Sequence, residues 1–399
     1  MDRANEIAIL ERMLGYVETG TTAMAPEPWE NEVSAYTCPE RFARETQVLF
    51  REHPIVMGLS CDWAEPGAYS TEDYTGVPIL VVRGQDRVLR AFLNVCRHRG
   101  AKVATGSGKT GVFSCPYHAW TYNLDGRIRG IPDEKAFPGV RATRPGLTPL
   151  PLAEKYGIVW VLPTPAPDGA TTLDIDKWLG GIEADLAYWK LDGYHYFDRR
   201  LVPETMNWKV LVDTFHEGYH IGFLHRDTLT GILHGNVGDF QSFGLNHRLI
   251  FPRSKLARLR NEPKEKWDLM WYSSMVYCLF PNTLLVMQGD HAEFHRIFPT
   301  ENRVDRAFMD SSLYIPQPVT DDEQRRHWTA NMDLVIKVVS TEDFPAGRSM
   351  QIGFGSQAQA TTVYGRNEPA MIHWHGALRR ALGLAPNSRN GRNGTHARS

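Results

Sequence analysis

Residues 94–120 read NVCRHRGAKVATGSGKTGVFSCPYHAW, and this stretch is the most informative part of the chain. Cys96 and His98 form a C-x-H pair, and Cys115 and His118 form a C-x-x-H pair after sixteen intervening residues. Each pair lies where a strand-like run ends, at 88–95 and at 110–114. We therefore expect two hairpin tips that clamp one metal centre, with each tip contributing one thiolate and one imidazole.

Two kinds of metal centre use two cysteines and two histidines. In a [2Fe-2S] cluster of the Rieske type, two histidines replace two thiolates on one iron and raise the reduction potential. A structural zinc ion accepts the same four ligands, which would make the chain a zinc-stabilised binding protein. Zinc fingers usually pair cysteine with cysteine and histidine with histidine. Because each loop here contributes one of each, the spacing favours the cluster.

The composition is that of an ordinary globular chain that is long enough for two domains. Of 399 residues, 42% are hydrophobic and 23% are charged. The net charge of -2 offers no basic surface for nucleic acid or for an anionic membrane. No run approaches the roughly 20 apolar residues that span a bilayer. The five cysteines show no disulfide framework. The sequence therefore predicts a cytoplasmic protein that binds neither nucleic acid nor membrane.

The first half of the chain divides into two predicted regions. Residues 1–50 are expected to form an N-terminal helical arm, with one amphipathic helix before Gly20 and a second that opens at Pro39. We expect the first helix to pack on another part of the assembly. Residues 51–163 read as short strands separated by turns, which predicts a small antiparallel β-domain around the cluster motif.

The proline-rich segment PTPAPDGA at 163–170 predicts a linker to a second domain. Residues 164–385 alternate between helical and strand patterns, so we expect an α+β domain of helices packed on an antiparallel sheet. One helix is predicted over 175–189, and another is predicted to open with a capping box from Thr320 to Glu323. Residues 386–399 have no apolar anchor and are predicted to be a disordered tail.

A second group of metal-binding side chains lies at 213–225, DTFHEGYHIGFLH. Two histidines and one carboxylate with open coordination positions hold Fe(II) in non-haem oxygenases. Asp213, His216 and His220 would share one face of a regular helix. A break or π-type distortion near Gly222 would instead bring together His220 and His225. The periodicity leaves both ligand sets open.

The motifs CRHRG, CPYHAW, NWK and EGYH-x₄-H resemble the Rieske non-haem iron oxygenases, specifically the α (terminal oxygenase) subunit of the aromatic-ring-hydroxylating dioxygenase family. The resemblance spans nearly the whole chain. It implies a Rieske domain followed by a catalytic domain of the helix-grip, START-like type that holds mononuclear Fe(II). The [2Fe-2S] ligands would be Cys96, His98, Cys115 and His118.

The resemblance also implies which histidines bind the mononuclear iron. The family pattern D/E-x-x-H-x₄-H is met by Glu217, His220 and His225, so His220 and His225 are the expected ligands. The acidic residue in this pattern is a hydrogen-bonded bridge for electrons between subunits. Glu217 would therefore connect His220 to His118 of the neighbouring subunit.

The third iron ligand in this family is the second residue of an acidic pair near the end of a long helix. In this sequence the pair is Glu342 and Asp343, and we expect Asp343 to be the ligand. Asp213 is a further candidate for a residue behind the ligands that supports them.

The resemblance implies a terminal oxygenase that receives NAD(P)H electrons through a reductase, sometimes with a ferredoxin. The enzyme would activate O2 and hydroxylate an aromatic or other hydrophobic organic substrate. The alternative is a monooxygenase or demethylase that acts on N-methyl, O-methyl or quaternary ammonium compounds. We also expect a homotrimer, which in this family sometimes includes β subunits.

Overall fold

The computed structural model describes residues 1–385, so the predicted tail at 386–399 lies outside the described residues. The first twelve strands belong mainly to the N-terminal half: β1 (Trp29–Glu32), β2 (Ile55–Leu59), β3 (Ala68–Glu72), β4 (Ile79–Arg83), β5 (Leu89–Leu93), β6 (Ser107–Lys109), β7 (Phe113–Ser114), β8 (Thr121–Tyr122), β9 (Ile128–Gly130), β10 (Pro149–Leu150), β11 (Leu152–Lys155) and β12 (Ile158–Val161). All of them except β1 form three small antiparallel sheets, ordered β10-β5-β4-β3-β6, β11-β12-β2 and β7-β8-β9. The predicted small antiparallel β-domain is confirmed.

The remaining strands build the C-terminal half: β13 (His195–Glu204), β14 (Asp239–Phe243), β15 (Asn246–Pro252), β16 (Ser273–Leu279), β17 (Thr283–Met287), β18 (Ala292–Pro299), β19 (Ala307–Ile315) and β20 (Thr361–Tyr364). Seven of them form one antiparallel sheet, ordered β13-β19-β18-β17-β16-β15-β14. Strand β20 instead pairs with β1. The expected α+β arrangement of helices on a large antiparallel sheet is confirmed.

The helices are α1 (Arg3–Thr19), α2 (Ser34–Thr37), α3 (Pro39–Arg51), α4 (Val140–Thr143), α5 (Asp176–Leu179), α6 (Glu183–Trp189), α7 (Trp208–Asp213), α8 (Ile221–Leu224), α9 (Leu269–Tyr272), α10 (Asp322–Val338), α11 (Phe344–Gly355) and α12 (Pro369–Ala381). A π-helical turn, Val339–Asp343, joins α10 to α11. Within residues 1–385, no helix is both long and apolar enough to cross a membrane.

Two helix predictions were wrong in detail. The single helix expected over 175–189 is broken at Gly180 and Gly181, which have φ values of 64° and 106°. A Cβ on Gly180 would lie 2.6 Å from the carbonyl oxygen of Phe243, so the chain needs glycine at this close approach. Helix α10 begins one residue later than expected, because Asp321, not Thr320, accepts the capping hydrogen bond from the backbone of Gln324.

The N-terminal helix packs on its own chain, which corrects the expectation that it reaches another part of the assembly. Ile9, Leu10 and Met13 are buried in one core with residues of β15 and β17. Arg12 also pairs with Asp239 at 2.8 Å. Helix α1 therefore covers one face of the large sheet in the same subunit.

The NWK motif ties α3 to the catalytic half. The side chain of Asn207 caps α7 by accepting from the backbone of Lys209 at 3.0 Å. Trp208 Nε1 donates to Glu45 at 3.2 Å, and Lys209 Nζ lies 2.5 Å from the same carboxylate. Lys209 and Glu45 are fully buried, so this ion pair joins α3 and α7 inside the core.

Candidate cluster and iron sites

The two cysteine-histidine loops meet at one edge of the small β-domain, as the sequence predicted. Cys96 and Cys115 are buried in the same apolar core. In the first loop, the backbone of Gly100 donates to the carbonyl of Cys96 at 3.0 Å, and Gly100 has a φ of 87°. In the second loop, Ala119 donates to the carbonyl of Cys115 at 3.0 Å. Both loops therefore turn back tightly on their cysteine.

The two histidines lie side by side at the rim of this site. The ring centroids of His98 and His118 are 4.7 Å apart. His98 stacks on Trp120 with the rings nearly parallel, at 5.0 Å and 7°. His118 is exposed next to the exposed Tyr117. Two buried thiols with two imidazoles at the surface fit a [2Fe-2S] cluster, and they leave one histidine edge free for a partner.

Tyr122 is a further functional candidate, and no sequence motif marks it. Its hydroxyl lies 3.1 Å from the sulfur of Cys96 and accepts from the backbone of Arg97 at 2.9 Å. The side chain is fully buried, and burial raises the pKa of the phenol, so the proton stays on the oxygen. With Arg97 as its donor, Tyr122 can direct this proton at the sulfur, and hydrogen bonds to sulfur tune cluster potentials.

The second site forms where α7 ends, because the regular helix does not continue through 213–220. Helix α7 stops at Asp213, and the short helix α8 is flanked by His220 and His225. The Nε2 atoms of these two histidines are 3.1 Å apart. Asp343 Oδ1 lies 3.4 Å from one and 3.2 Å from the other. The structure thus brings His220, His225 and Asp343 together.

These spacings suit one bound metal ion. Two ligands at right angles around an ion, with bonds of about 2.1 Å, lie about 3 Å apart. The three atoms also lie on the wall of a cavity, so coordination positions remain open on that side. We find that the donor set, two imidazoles and one carboxylate, fits the Fe(II) that the sequence predicted.

Gly222 lies within the regular turn of α8, so the distortion predicted there is absent, and a π-helical turn is found instead between α10 and α11. The π-helical turn Val339–Asp343 carries both acidic candidates. It directs Asp343 toward the two imidazole Nε2 atoms and places Glu342 behind His225. A π-turn widens the helix by one residue, which lets two consecutive side chains face one site.

Each ligand histidine is held from behind by a carboxylate. Glu342 lies 2.5 Å from Nδ1 of His225 and accepts a second hydrogen bond from the hydroxyl of Thr228 at 2.8 Å. Glu217 contacts Nδ1 of His220 and accepts from the backbone of the same residue at 3.0 Å. These contacts place the ring protons on Nδ1 and leave both Nε2 atoms free to bind metal.

The other two residues of the 213–225 motif are turned away from the iron site. Asp213 accepts from the hydroxyl of Tyr36 at 2.6 Å and contacts Nε2 of His375 at 2.9 Å. Its support for the iron site is therefore indirect, through the fold around α7. His216 is buried beside His247 and Cys278, whose ligand atoms all lie within 4.8 Å of its own. Burial lowers the pKa of His216 well below its usual value and keeps the ring neutral.

A cavity of about 410 Å³ opens beside the three ligand residues. Its walls are largely aliphatic, and they include Ile221, Leu229, Leu233, Val276, Val286 and Val338. Polar residues are concentrated around the β17–β18 turn and the strand ends beside it. A cavity with an apolar part and a polar, charged part can hold a small molecule that has both kinds of group.

Histidines and acids alternate in a hydrogen-bonded series from the turn before β18 into that strand, and Asp290, His291 and Glu293 of this series line the cavity. Burial alone would lower the pKa of His291, but hydrogen bonds with Asp290 and Glu293 outweigh it and raise the pKa to about 9. Burial likewise opposes ionisation of Glu293, yet His291 and His295 lower its pKa to about 2. The positive charge of His291 is therefore balanced by the negative charges of Asp290 and Glu293.

Comparisons with known proteins identify the families of the two halves of the chain. The Rieske [2Fe-2S] domain family matches residues 53–149, and the catalytic domain of the ring hydroxylating alpha subunit family matches residues 186–384. The oxygenase subunit of carnitine monooxygenase from Acinetobacter baumannii is 35% identical over 204 residues, 48% of this chain and 51% of that protein. The chain spans about half the length of this relative.

Other relatives match over more of the chain. Chloroplastic choline monooxygenase from Arabidopsis thaliana is 25% identical over 362 residues, 88% of this chain and 82% of that protein. A solved quaternary ammonium Rieske monooxygenase in complex with L-carnitine has a TM-score of 0.75 at 21% identity, covering 90% of this chain and 96% of that one. Naphthalene 1,2-dioxygenase from Rhodococcus sp. has a TM-score of 0.70 at 18% identity, covering 95% and 99%.

The two matched families define an iron-dependent oxygenase with a separate electron-storing cluster. More narrowly, the chain belongs to the Rieske non-haem iron oxygenases, as an alpha subunit of the ring-hydroxylating type. Its cofactors are a Rieske [2Fe-2S] cluster and a mononuclear catalytic iron.

Proposed function

We propose that this chain is the terminal oxygenase component of an enzyme that hydroxylates a carbon bonded to the quaternary nitrogen of a small ammonium compound. The observation that carries this substrate class is the set of relatives, whose names specify carnitine, glycine betaine and choline. The relatives therefore favour a quaternary ammonium substrate, the alternative given above, over the aromatic substrate expected first. The family membership supports electron delivery from NAD(P)H through a reductase, with or without a ferredoxin.

The bound cluster and iron would supply single electrons and oxygen activation. In sum, one C–H bond, O2, NAD(P)H and a proton give C–OH, water and NAD(P)+. A hydroxyl on a carbon next to the ammonium nitrogen then leads to C–N cleavage, releasing an aldehyde, a tertiary amine and a proton. Glu217 and Glu342 hold the ligand histidines in position, and the aliphatic cavity excludes water from the reacting carbon.

Isotope labelling with the complete system tests this reaction. The oxygenase is combined with an NADH-dependent reductase, ¹⁸O2 and glycine betaine, carnitine or choline, and the products are measured by mass spectrometry. An immediate borohydride quench reduces the aldehyde to an alcohol before its oxygen exchanges with water, and we then expect one ¹⁸O atom in that fragment for each NADH used. Incorporation of two ¹⁸O atoms into an arene such as naphthalene, with no ammonium compound oxidised, would contradict the proposal.

The proposal includes electron transfer between subunits of a homotrimer. His118 is exposed at the tip of its loop, so it is free to meet another subunit. Glu217 contacts His220 and has a partly exposed side chain, which makes it available as the acceptor of that contact. A β-domain that faces the catalytic domain of the next subunit is a heterologous contact, and such contacts can close into a ring. Glu217 would then connect His118 of the partner subunit to His220.

Complementation between two inactive variants tests this route. Cys115→Ser removes a cluster ligand, and His225→Ala removes an iron ligand. Each variant alone should be inactive, whereas mixed oligomers from co-expression should regain turnover, because an intact cluster in one subunit would serve an intact iron in the next. Mixed oligomers that form and remain inactive would show that electrons stay within one chain.

We also place the enzyme in the cytoplasm. Its five cysteines form no disulfide, and reduced thiols and NAD(P)H are both maintained in that compartment. Fractionation of cells that express the native protein should recover oxygenase activity with cytoplasmic markers, and recovery with extracellular or periplasmic markers would contradict this placement.

A further inference from the structure

The carboxylates that line the cavity all have a histidine partner, whereas two cations that line it have no carboxylate partner among the described residues. All four of its carboxylates have a histidine within ion-pair distance: Glu217, Asp290, Glu293 and Asp343. Two cations, Arg253 and Lys255, line the same cavity. Within residues 1–385, neither cation lies within ion-pair distance of a carboxylate. The cavity wall therefore carries two positive charges that no carboxylate of these residues contacts directly.

Arg253 is fixed in place by neutral groups. It directly follows β15, and its Nε donates to the carbonyl of Ser273 at 3.2 Å. Its Nη2 donates to the side chain of Gln288 at 3.0 Å. Burial lowers the pKa of Arg253 below its usual value, and the more distant charges of Asp290 and Glu293 offset only part of this effect. The guanidinium is thus oriented by neutral acceptors and has no carboxylate of the described residues in direct contact.

Lys255 lies beside it in the same strand-end segment. Its Nζ is 3.5 Å from the centroid of the Trp271 ring, a cation–π contact on an aromatic side chain that is more than half exposed. Burial and the charges of Arg253 and Arg258 lower the pKa of Lys255. Two adjacent cations repel each other and are stabilised together by one anion.

We infer that Arg253 and Lys255 form an anion-binding subsite that selects substrates with a carboxylate in addition to the group oxidised at the iron. The inference rests on the proposed function for the ammonium group but assigns the opposite end of the substrate. A paired guanidinium and ammonium recognise a carboxylate through charge-assisted hydrogen bonds. The subsite discriminates among the relatives' substrates, since carnitine and glycine betaine carry a carboxylate and choline carries an alcohol.

Steady-state kinetics on glycine betaine and choline test the subsite, because these compounds differ in the carboxylate. Carnitine and γ-butyrobetaine extend the series to longer chains. The parent enzyme should prefer a carboxylate substrate over choline by about tenfold or more in kcat/KM, the range expected for a hydrogen bond to a charged group. Arg253→Gln and Lys255→Gln should each raise KM for the carboxylate substrate by about tenfold with little change in kcat.

Controls separate recognition from damage to the fold. Arg258→Gln removes an exposed cation from the same segment that does not line the cavity, and it should leave all KM values unchanged. Arg253→Lys keeps the charge and should recover much of the preference. KM for choline should not change in any of these variants. If Arg253→Gln and Lys255→Gln impair choline and glycine betaine equally, the subsite is refuted.

Benzoate distinguishes failure of the subsite from failure of the proposed function. If no ammonium compound is oxidised but benzoate is, and Arg253→Gln raises its KM about tenfold, the subsite stands and the ammonium substrate class is wrong. If choline and glycine betaine are oxidised equally well by the parent and by both variants, the substrate class stands and the subsite is wrong.

Discussion

Glu342 offers the sharpest test of how the iron site is built. Its carboxylate lies 2.5 Å from Nδ1 of His225 and also accepts from Thr228. Glu342→Ala would remove the group that fixes the tautomer and the orientation of the His225 ring. Loss of such a partner typically lowers metal affinity by about 10- to 100-fold. This corresponds to about 1.4 to 2.7 kcal/mol of binding free energy.

The assay is an Fe(II) titration of protein whose mononuclear site has been emptied while the cluster is intact, with a competing chelator as the reference. Glu342→Gln keeps an oxygen that can accept from Nδ1, so its affinity should lie between those of Glu342→Ala and the parent. Asp343→Asn should lose more affinity than either, because it changes a ligand. Glu323→Gln, an exposed change on α10, is the matched control.

The opposite ranking would refute the assignment of the two acidic residues. If Glu342→Gln abolishes iron binding while Asp343→Asn retains it, Glu342 is the ligand. If Glu342→Ala binds iron as tightly as Glu323→Gln does, the hydrogen bond to His225 does not position the ring.

Three further predictions concern stability and the cluster. Glu45→Gln leaves the buried Lys209 without its counter-ion and should lower the free energy of unfolding by about 3 to 5 kcal/mol in chemical denaturation; a loss below about 1 kcal/mol would contradict this reading. Burial raises the pKa of Asp62 from 3.8 to about 6, so the folded state holds the proton more tightly and stability should fall as pH rises from about 4 to about 6. Asp62→Asn should flatten that decline, and an unchanged slope would exclude Asp62 as its source. Tyr122→Phe removes the hydroxyl beside Cys96 and should lower the reduction potential of the cluster in voltammetry, whereas an unchanged potential would rule out a hydrogen bond to sulfur.

The cluster loops could be predicted because the residues that determine them lie close together in the sequence. The spacing of cysteine and histidine, the strands before them and the turn at Gly100 are all encoded within about thirty residues. Tyr122 lies in the same region, but nothing in its immediate sequence distinguishes a tyrosine that contacts sulfur from one that fills the core. Its role follows only from the tertiary contact of β8 with the first cluster loop, where the hydroxyl meets Cys96 and the backbone of Arg97.

The iron ligands could not be predicted from helical spacing alone, because contacts between residues distant in sequence decide where the helix ends. Helical spacing alone allowed Asp213, His216 and His220 as one set. The structure ends α7 at Asp213, whose side chain bonds to Tyr36 and to His375, and both of these are distant in sequence. The family pattern identified the set that the structure brings together. That these residues bind iron in the purified protein stays a prediction.

The anionic subsite could not be predicted from the sequence for a related reason. Arg253 and Lys255 follow one strand, Gln288 follows another, and Trp271 precedes a third. Only the order of strands in the large sheet brings these strand ends to the same cavity wall. In the sequence, an arginine and a lysine two residues apart are typical of any exposed loop.

A single-turnover experiment tests most directly whether the cluster and the predicted iron site work as one enzyme. Protein with a reduced cluster is mixed with O2 and glycine betaine, and cluster oxidation and product are followed together by stopped-flow absorbance and chemical quench. In the parent, we expect product to form in step with cluster oxidation, while His225→Ala should keep its cluster reduced and form no product. If His225→Ala oxidises its cluster and forms product at the parental rate, the site formed by His220, His225 and Asp343 is not where oxygen is activated.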